Sequence, residues 1–201
     1  LNKFPENIRK KGIIIPNPIN ISCQSEPSII KKKIVSVGRL VPQKNHALLI
    51  RAFSVFIKTH SDYNLYIYGI GNLLDQLKFI AQENNVEDFV HFEGFYEDIH
   101  ERIKDAEQFI LSSNFEGMPN ALMEAMMMGL PCISTDCSGV REIITNEVNG
   151  LLVPIEDVSS LARAMCRLSD DKMLQDRLGK AAKRKSEMWK TENIIQKWEE
   201  L

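Results

Sequence analysis

Residues 112–135 read SSNFEGMPNALMEAMMMGLPCIST, and an apolar run, Phe109-Ile110-Leu111, leads into them. The pattern predicts a strand, a polar elbow, a Pro-started helix, a Gly stop and a second short buried strand beginning Cys132-Ile133. Pro119 fits the first helical position, where its missing N–H leaves nothing unsatisfied. Glu116 then lies in the elbow and Glu124 in the second helical turn, with seven residues between them. Gly117 and Met118 precede Pro119, and neither side chain can cap the helix. The free N–H groups near Pro119 and Asn120, with the positive end of the helix dipole, suit an anion, and Gly117 lets a ligand approach the backbone closely. An ordinary turn capped by water satisfies the same pattern.

Outward from this stretch, short apolar runs alternate with amphipathic segments. Strands are expected at Ile34–Val37, Leu65–Tyr68, Phe89–Phe92, Phe109–Ser112, Cys132–Thr135 and Gly150–Val153. Helices are expected at about Asn45–Thr59, Leu73–Asn84 and Glu97–Asp105, with a helical turn at Val140–Thr145 and two or three helices from Asp157 onward. Residues 1–12 read as a linker or tail, Ile13–Ile15 as a short strand broken by Pro16 and Pro18, and 22–33 as a loop; the main domain is taken as 13–201. Strands alternating with helices predict an α/β fold, a Rossmann-like doubly wound parallel sheet with helices on both faces. Ligands of such sheets bind at the carboxyl ends of the strands. Here those ends carry Gly38-Arg39, Gly69-Ile70-Gly71, Gly94, the elbow, and Thr135 to Gly139.

The chemistry at these ends is selective. Arg39 and Lys44 beside a glycine turn suit a diphosphate, Arg with bidentate geometry. Gly69-Ile70-Gly71 imitates a dinucleotide fingerprint but lacks its third glycine and follows the second strand, so a nicotinamide cofactor is a weak reading. Glu124 is an acceptor-only carboxylate among Ala121, Leu122, Ala125 and Met128, and it needs a partner or a ligand there. The four histidines lack metal-ligand spacing and no Asp-x-Asp occurs; His46, at a helix start, reads as structural.

EGMPNALMEAMMMGLPCISTD, with the motifs before it, resembles the signature of the family 4 (group 1) retaining glycosyltransferases of GT-B architecture. The resemblance runs from about Ile13 to the C-terminus, and IIIPNPIN resembles the family's interdomain joint. It implies that the chain is the C-terminal, donor-binding domain, acting with an N-terminal acceptor-binding domain. The donor implied is a nucleoside-diphosphate sugar, expected to be a UDP-sugar, and no cofactor or metal is expected besides it. By resemblance Arg39 and Lys44 hold the diphosphate, Glu124 the ribose hydroxyls, and Glu116 lies near the donor sugar. Gly38, Gly69, Gly71, Gly94, Gly117, Met118, Pro119 and Asn120 line the donor site. Ser138 stands where the family has the first glycine of a G-G-x-x-E-I segment. A GT-B sugar-nucleotide epimerase and a non-catalytic nucleotide-binding module are the alternatives.

Bulk properties agree. The 201 residues suit one large domain or two small ones. With 25 basic and 27 acidic residues the formal charge is −2, without the basic excess of a nucleic-acid binder. No apolar run reaches the ~18 residues of a membrane span, and the opening residues are polar, unlike a signal peptide. Four cysteines without a C-x-x-C pair suggest reduced thiols and a cytoplasmic protein. The basic 172–190 stretch, with Leu174, Leu178, Ala182 and Trp189 on another side, suits either contact with the inner face of a membrane or packing on its own domain.

Overall fold

The computed structural model describes residues 18, 19, 21 and 32–199, with the backbone alone at Lys197. The expected 1–12 tail, the Ile13–Ile15 strand, the interdomain joint apart from Pro18 and Ile19, and Cys23 lie outside the described residues. Six parallel strands form one sheet: β1 (Lys33–Val37), β2 (Asn64–Tyr68), β3 (Val90–Gly94), β4 (Gln108–Leu111), β5 (Cys132–Thr135) and β6 (Leu151–Val153). Their order is β3-β2-β1-β4-β5-β6. The order reverses between β1 and β4, and that switch point opens a crevice at the strands' carboxyl ends. In register, Ile34 pairs with Leu65 on one side and Gln108 on the other.

The strands read as continuous apolar runs because both faces of the sheet are covered. Ile34, Ile67, Ile110 and Ile133 point to one core, under α1 (His46–Phe56), α2 (Leu74–Glu83) and α5 (Val158–Asp170). Val35, Phe109, Leu111 and Cys132 point to the other, with Ile103 of α3 (Ile99–Ile103) and Leu122, Met123 and Met126 of α4 (Asn120–Met127). The methionines Met123 and Met126 are fully buried filler. Two further helices, α6 (Lys172–Ser186) and α7 (Thr191–Glu199), close the described chain.

Elements agree in type and order with the sequence expectation, and differ at their ends. The first helix stops at Phe56, and 57–59 are turn. Residues 97–98 precede α3 without joining it. Pro119 is the residue before the helix rather than its first member: its φ is −77°, its ψ 92°, and its carbonyl accepts from the N–H groups of Leu122 and Met123. On α6, Leu174, Leu178 and Ala182 are buried in the domain's own core, so the apolar side of the basic stretch is already occupied. No helix among the described residues is long and apolar enough to cross a membrane.

Candidate functional site

Four loops meet over the carboxyl ends of β1, β2, β4 and β5. Glycines make the approach possible. A Cβ on Gly69 would collide with the Gly38 carbonyl, and one on Gly139 with the Gly117 carbonyl; both residues also have positive φ, 144° and 80°. Any larger residue would therefore clash and strain at once. Gly71 likewise packs against the backbone of Leu40. Gly117 has no atom within 4 Å of a would-be Cβ and faces open space.

Lys44 ends a short 3-10 turn, Pro42–Lys44. Its stem lies about 3.3 Å from a would-be Gly38 Cβ, so the sequence-predicted cation sits directly on the first glycine turn. Asn45 follows in the left-handed region, φ 44°, and its side chain caps α1 by accepting from the Leu48 N–H at 3.2 Å. That cap turns the chain so that Lys44 faces β4. The Lys44 Nζ lies 2.6 Å from Glu116 Oε1. Arg39 is exposed, and among the described residues its guanidinium has no hydrogen-bond or ion-pair partner.

The elbow is tied down from both sides. Asn114 N–H donates to the Gln43 carbonyl at 2.9 Å, and Asn45 Nδ2 to Asn114 Oδ1 at 2.9 Å. Ser112 Oγ donates to the Lys44 carbonyl at 2.8 Å, and Thr135 Oγ1 to the Ser113 carbonyl at 2.5 Å. Glu116 N–H donates to the Ser138 carbonyl at 3.2 Å, and Ser138 Oγ returns a bond to the Glu116 carbonyl at 3.1 Å. Ser138, the departure from the family's glycine, thus works as a clamp on Glu116. Beyond the elbow, α4 begins with no side-chain cap, as its sequence implies.

Glu124 lies in the second turn of α4. Its Oε2 is 3.4 Å from His100 Nε2 on α3, within ion-pairing reach when the imidazole carries its second proton. The carboxylate stays about a quarter exposed, so it is open to a second donor. Next to these groups, a cavity of about 200 Å³ opens between Gly38, Arg39, Gly69, Gly94, Phe95 and Tyr96. Tyr68 lines it as well; burial and the Glu93 charge push its phenol up to about 12. A larger depression, about 720 Å³, lies at the other end of α4, between Met127, Met128, Lys183 and Lys190. Its lining includes none of Glu116, Glu124, Arg39 and Lys44.

The structure therefore brings Gly38, Arg39, Lys44, Gly69, Gly71, Gly94, Glu116 to Asn120 and Glu124 to one rim. Sequence reasoning placed Ser113 in the elbow without its bond to Glu116, and missed Gln43 and His100. Ser113 had a weak signal, a polar residue three places before a singled-out glutamate. Gln43 and His100 had none, since their partners are 73 and 24 residues away. Beneath the rim His46 is buried, and among the described residues its ring nitrogens have no hydrogen-bond partner within bonding geometry. Burial depresses its pKa to about 4, against the pull of the Gly38 and Arg39 backbone and with the added push of the Lys44 charge. Among the described residues no group of three His, Cys, Asp or Glu could hold a metal ion.

The family model described as "Glycosyl transferases group 1" matches residues 24–185. The UDP-Gal:alpha-D-GlcNAc-diphosphoundecaprenol alpha-1,3-galactosyltransferase of Escherichia coli is 33% identical over 178 residues, 80% of this chain and 46% of that protein. A crystal structure of an S. aureus TarM variant in complex with fondaparinux, alpha-GlcNAc-glycerol and UDP superposes with a TM-score of 0.86 at 23% identity, over 96% of this chain and 41% of that one. A structure of the C-terminal domain of a group 1 family protein, LpcC of Francisella tularensis, gives 0.74 at 23% identity, over 80% of this chain and 87% of that one. The chain spans less than two thirds of the length of the first curated relatives it matches.

Proposed function

Because the chain belongs to the group 1 glycosyl transferases, we propose that it is the donor-binding half of a retaining GT-B glycosyltransferase of family 4. The donor is a UDP-sugar and the acceptor a saccharide or a lipid-linked saccharide. One observation carries this reading: two cations, Arg39 and Lys44, an uncapped helix start and an open carboxylate, Glu124, converge on one rim of the sheet. A nucleoside diphosphate needs that set, cations for the phosphates and an acceptor-only group for the ribose cis-diol. Support also comes from relatives whose names carry UDP-Gal or UDP, and from the likeness to a domain described as C-terminal.

In this role the bond from the anomeric carbon to the diphosphate breaks, and negative charge builds on the leaving phosphate. Arg39, Lys44 and the N–H groups at the start of α4 face that charge. Stabilising it is their catalytic contribution. The 200 Å³ cavity beside Gly94 and Phe95 takes the base. The remaining length of the relatives is room for an acceptor-binding domain. Positioning an acceptor against the anomeric carbon is worth roughly 7–11 kcal/mol of barrier, so residues 1–201 alone are expected to bind nucleotide and transfer no sugar. A cytoplasmic place beside the inner membrane face fits such acceptors, with the exposed lysines and arginines of α6 turned to the lipid.

Thermal-shift measurements against UDP-, GDP- and ADP-sugars test the reading; UDP compounds should stabilise the chain most, equally with and without a chelator. Glu124→Ala should weaken UDP about ten- to a hundredfold, the loss of bonds to a charged group worth roughly 1.5–3 kcal/mol. Unchanged affinity in that variant removes Glu124 from the site, and a strict need for a divalent ion overturns the cationic reading of the phosphate subsite.

A further inference from the structure

The Lys44–Glu116 pair poses a conflict. Lys44 is assigned to a diphosphate, yet its ammonium is held 2.6 Å from a carboxylate. Both groups are shielded from solvent, with 15% and 6% of their side chains exposed. An ammonium so placed cannot serve two anions in full. A buried carboxylate that loses its only partner is strongly destabilising. The surroundings of Glu116 resolve this. Ser113 Oγ donates to the same Oε1 at 2.6 Å, and Gln43 Nε2 reaches Oε2 at 3.4 Å while donating to the Phe115 carbonyl at 2.9 Å. The backbone of Glu116 is clamped by Ser138 on both its N–H and its carbonyl. Lys44, by contrast, hangs on a flexible four-carbon stem laid along Gly38, next to Arg39, which has no partner among the described residues.

We propose that Glu116 is the exchangeable counter-ion of Lys44, and that Ser113 and Gln43 are positioning residues that keep the carboxylate satisfied when the donor diphosphate takes the ammonium over. The proposal rests on the diphosphate reading given above. Without a diphosphate the pair neutralises itself, so the rim is not left with an unpaired buried cation. When a diphosphate arrives, Arg39 meets it first, the Lys44 Nζ turns from Glu116 to phosphate oxygen, and Glu116 keeps its place on Ser113 and Gln43. One anion replaces another on Lys44 with no movement of the backbone. The freed face of Glu116 then accepts from hydroxyl groups of the bound donor. The competing view is that the pair is a permanent staple between the β1 and β4 loops.

The two views give opposite signs. Calorimetric titration of UDP and of uridine into the chain and its variants separates them. Under exchange, Glu116→Gln removes the competitor and tightens UDP by roughly three- to tenfold, leaving uridine unchanged. Ser113→Ala leaves Glu116 more dependent on Lys44, so UDP weakens by a similar factor and uridine does not. In the Glu116→Gln background the Ser113→Ala effect should vanish, a coupling that a local packing defect would not produce. Weaker or unchanged UDP binding in Glu116→Gln overturns the proposal. Should that variant fail to fold, Ser113→Ala decides alone, and equal losses of UDP and uridine overturn it. A wild-type chain that binds uridine as well as UDP removes the diphosphate subsite itself, whereas a wild-type preference for UDP without the Glu116→Gln gain removes only the exchange.

Discussion

The helix starts in the last quarter of the chain differ from the one at the elbow. Asp157 caps α5 by accepting from the Ser160 N–H at 2.8 Å, and Asp171 caps α6 by accepting from the Leu174 N–H at 2.9 Å. Bonds from Ser160 hold the Asp157 carboxyl below its usual range. Nearby, Glu147 is engaged by Arg167 in a two-point pair. These three acids are consumed by structure. At the rim, α4 starts uncapped, Arg39 has no partner among the described residues, Glu116 is held by side chains, and Glu124 lies within ion-pairing reach of His100 alone among the described residues. Helix capping stabilises by about 1 kcal/mol, and the elbow forgoes it. A site that gives up local stability in this way keeps donors free for something outside the chain.

Substitutions should fall on one side or the other of that contrast. The largest effect belongs to the glycine contact on which the rim is built. Gly69→Ala puts a methyl into the Gly38 carbonyl at positive φ and should cost about 3 kcal/mol or more, with nucleotide binding lost in the same variant; denaturant unfolding beside UDP titration checks both. Next is the buried histidine under the rim. Unfolded, His46 takes up a proton near pH 6.5, and folded only near pH 4. The unfolded chain therefore binds more protons between those values. The contribution is complete above pH 6.5 and is lost as acid is added, to a total of about 2–3 kcal/mol by pH 4.5. His46→Leu should remove that slope in urea melts at pH 7 and 4.5, and an unchanged slope would show that His46 titrates normally.

Smaller effects mark the capped region. Asp171→Ala should cost about 1 kcal/mol, seen as a fall of roughly 2–4 °C in Tm, while UDP affinity stays the same; a change in affinity would join α6 to the site and blur the contrast. The smallest is Arg141→Ala. Its bond to Asp136 is short, 2.6 Å, but both groups are on the surface, and its loss should be barely measurable in either stability or binding.

Much of this was legible in the chain. The continuous apolar runs declared a sheet covered on both faces, and the strand ends named the rim, because a parallel sheet allows few other places for a ligand. EGMPNALMEAMMMGLP carried the elbow, the uncapped start and both glutamates. Helix ends were less legible. Isolated propensity does not stop the first helix at Phe56, and Pro119 occupies the position before the helix rather than within it. Gln43 and His100 were hidden for another reason. Each acts near a partner brought close only by the folding of separate βα units, and a single sequence records no such pairing, whereas Ser113 lies three residues from Glu116 in the same elbow. Ser138 is the instructive case: it departs from the glycine pattern, and its hydroxyl holds Glu116 by its carbonyl.

The central claim is that the nucleotide sits on the uncapped rim and not in the larger depression at the far end of α4. Titrating UDP into the isotopically labelled chain and following backbone amide resonances tests it most directly. The account predicts saturable shifts at Gly38, Arg39, Gly69, Gly94, Gly117 and Asn120, with Met127, Lys183 and Lys190 unmoved. Shifts gathered around Met127, Lys183 and Lys190, with Gly38 and Gly117 silent, would contradict it.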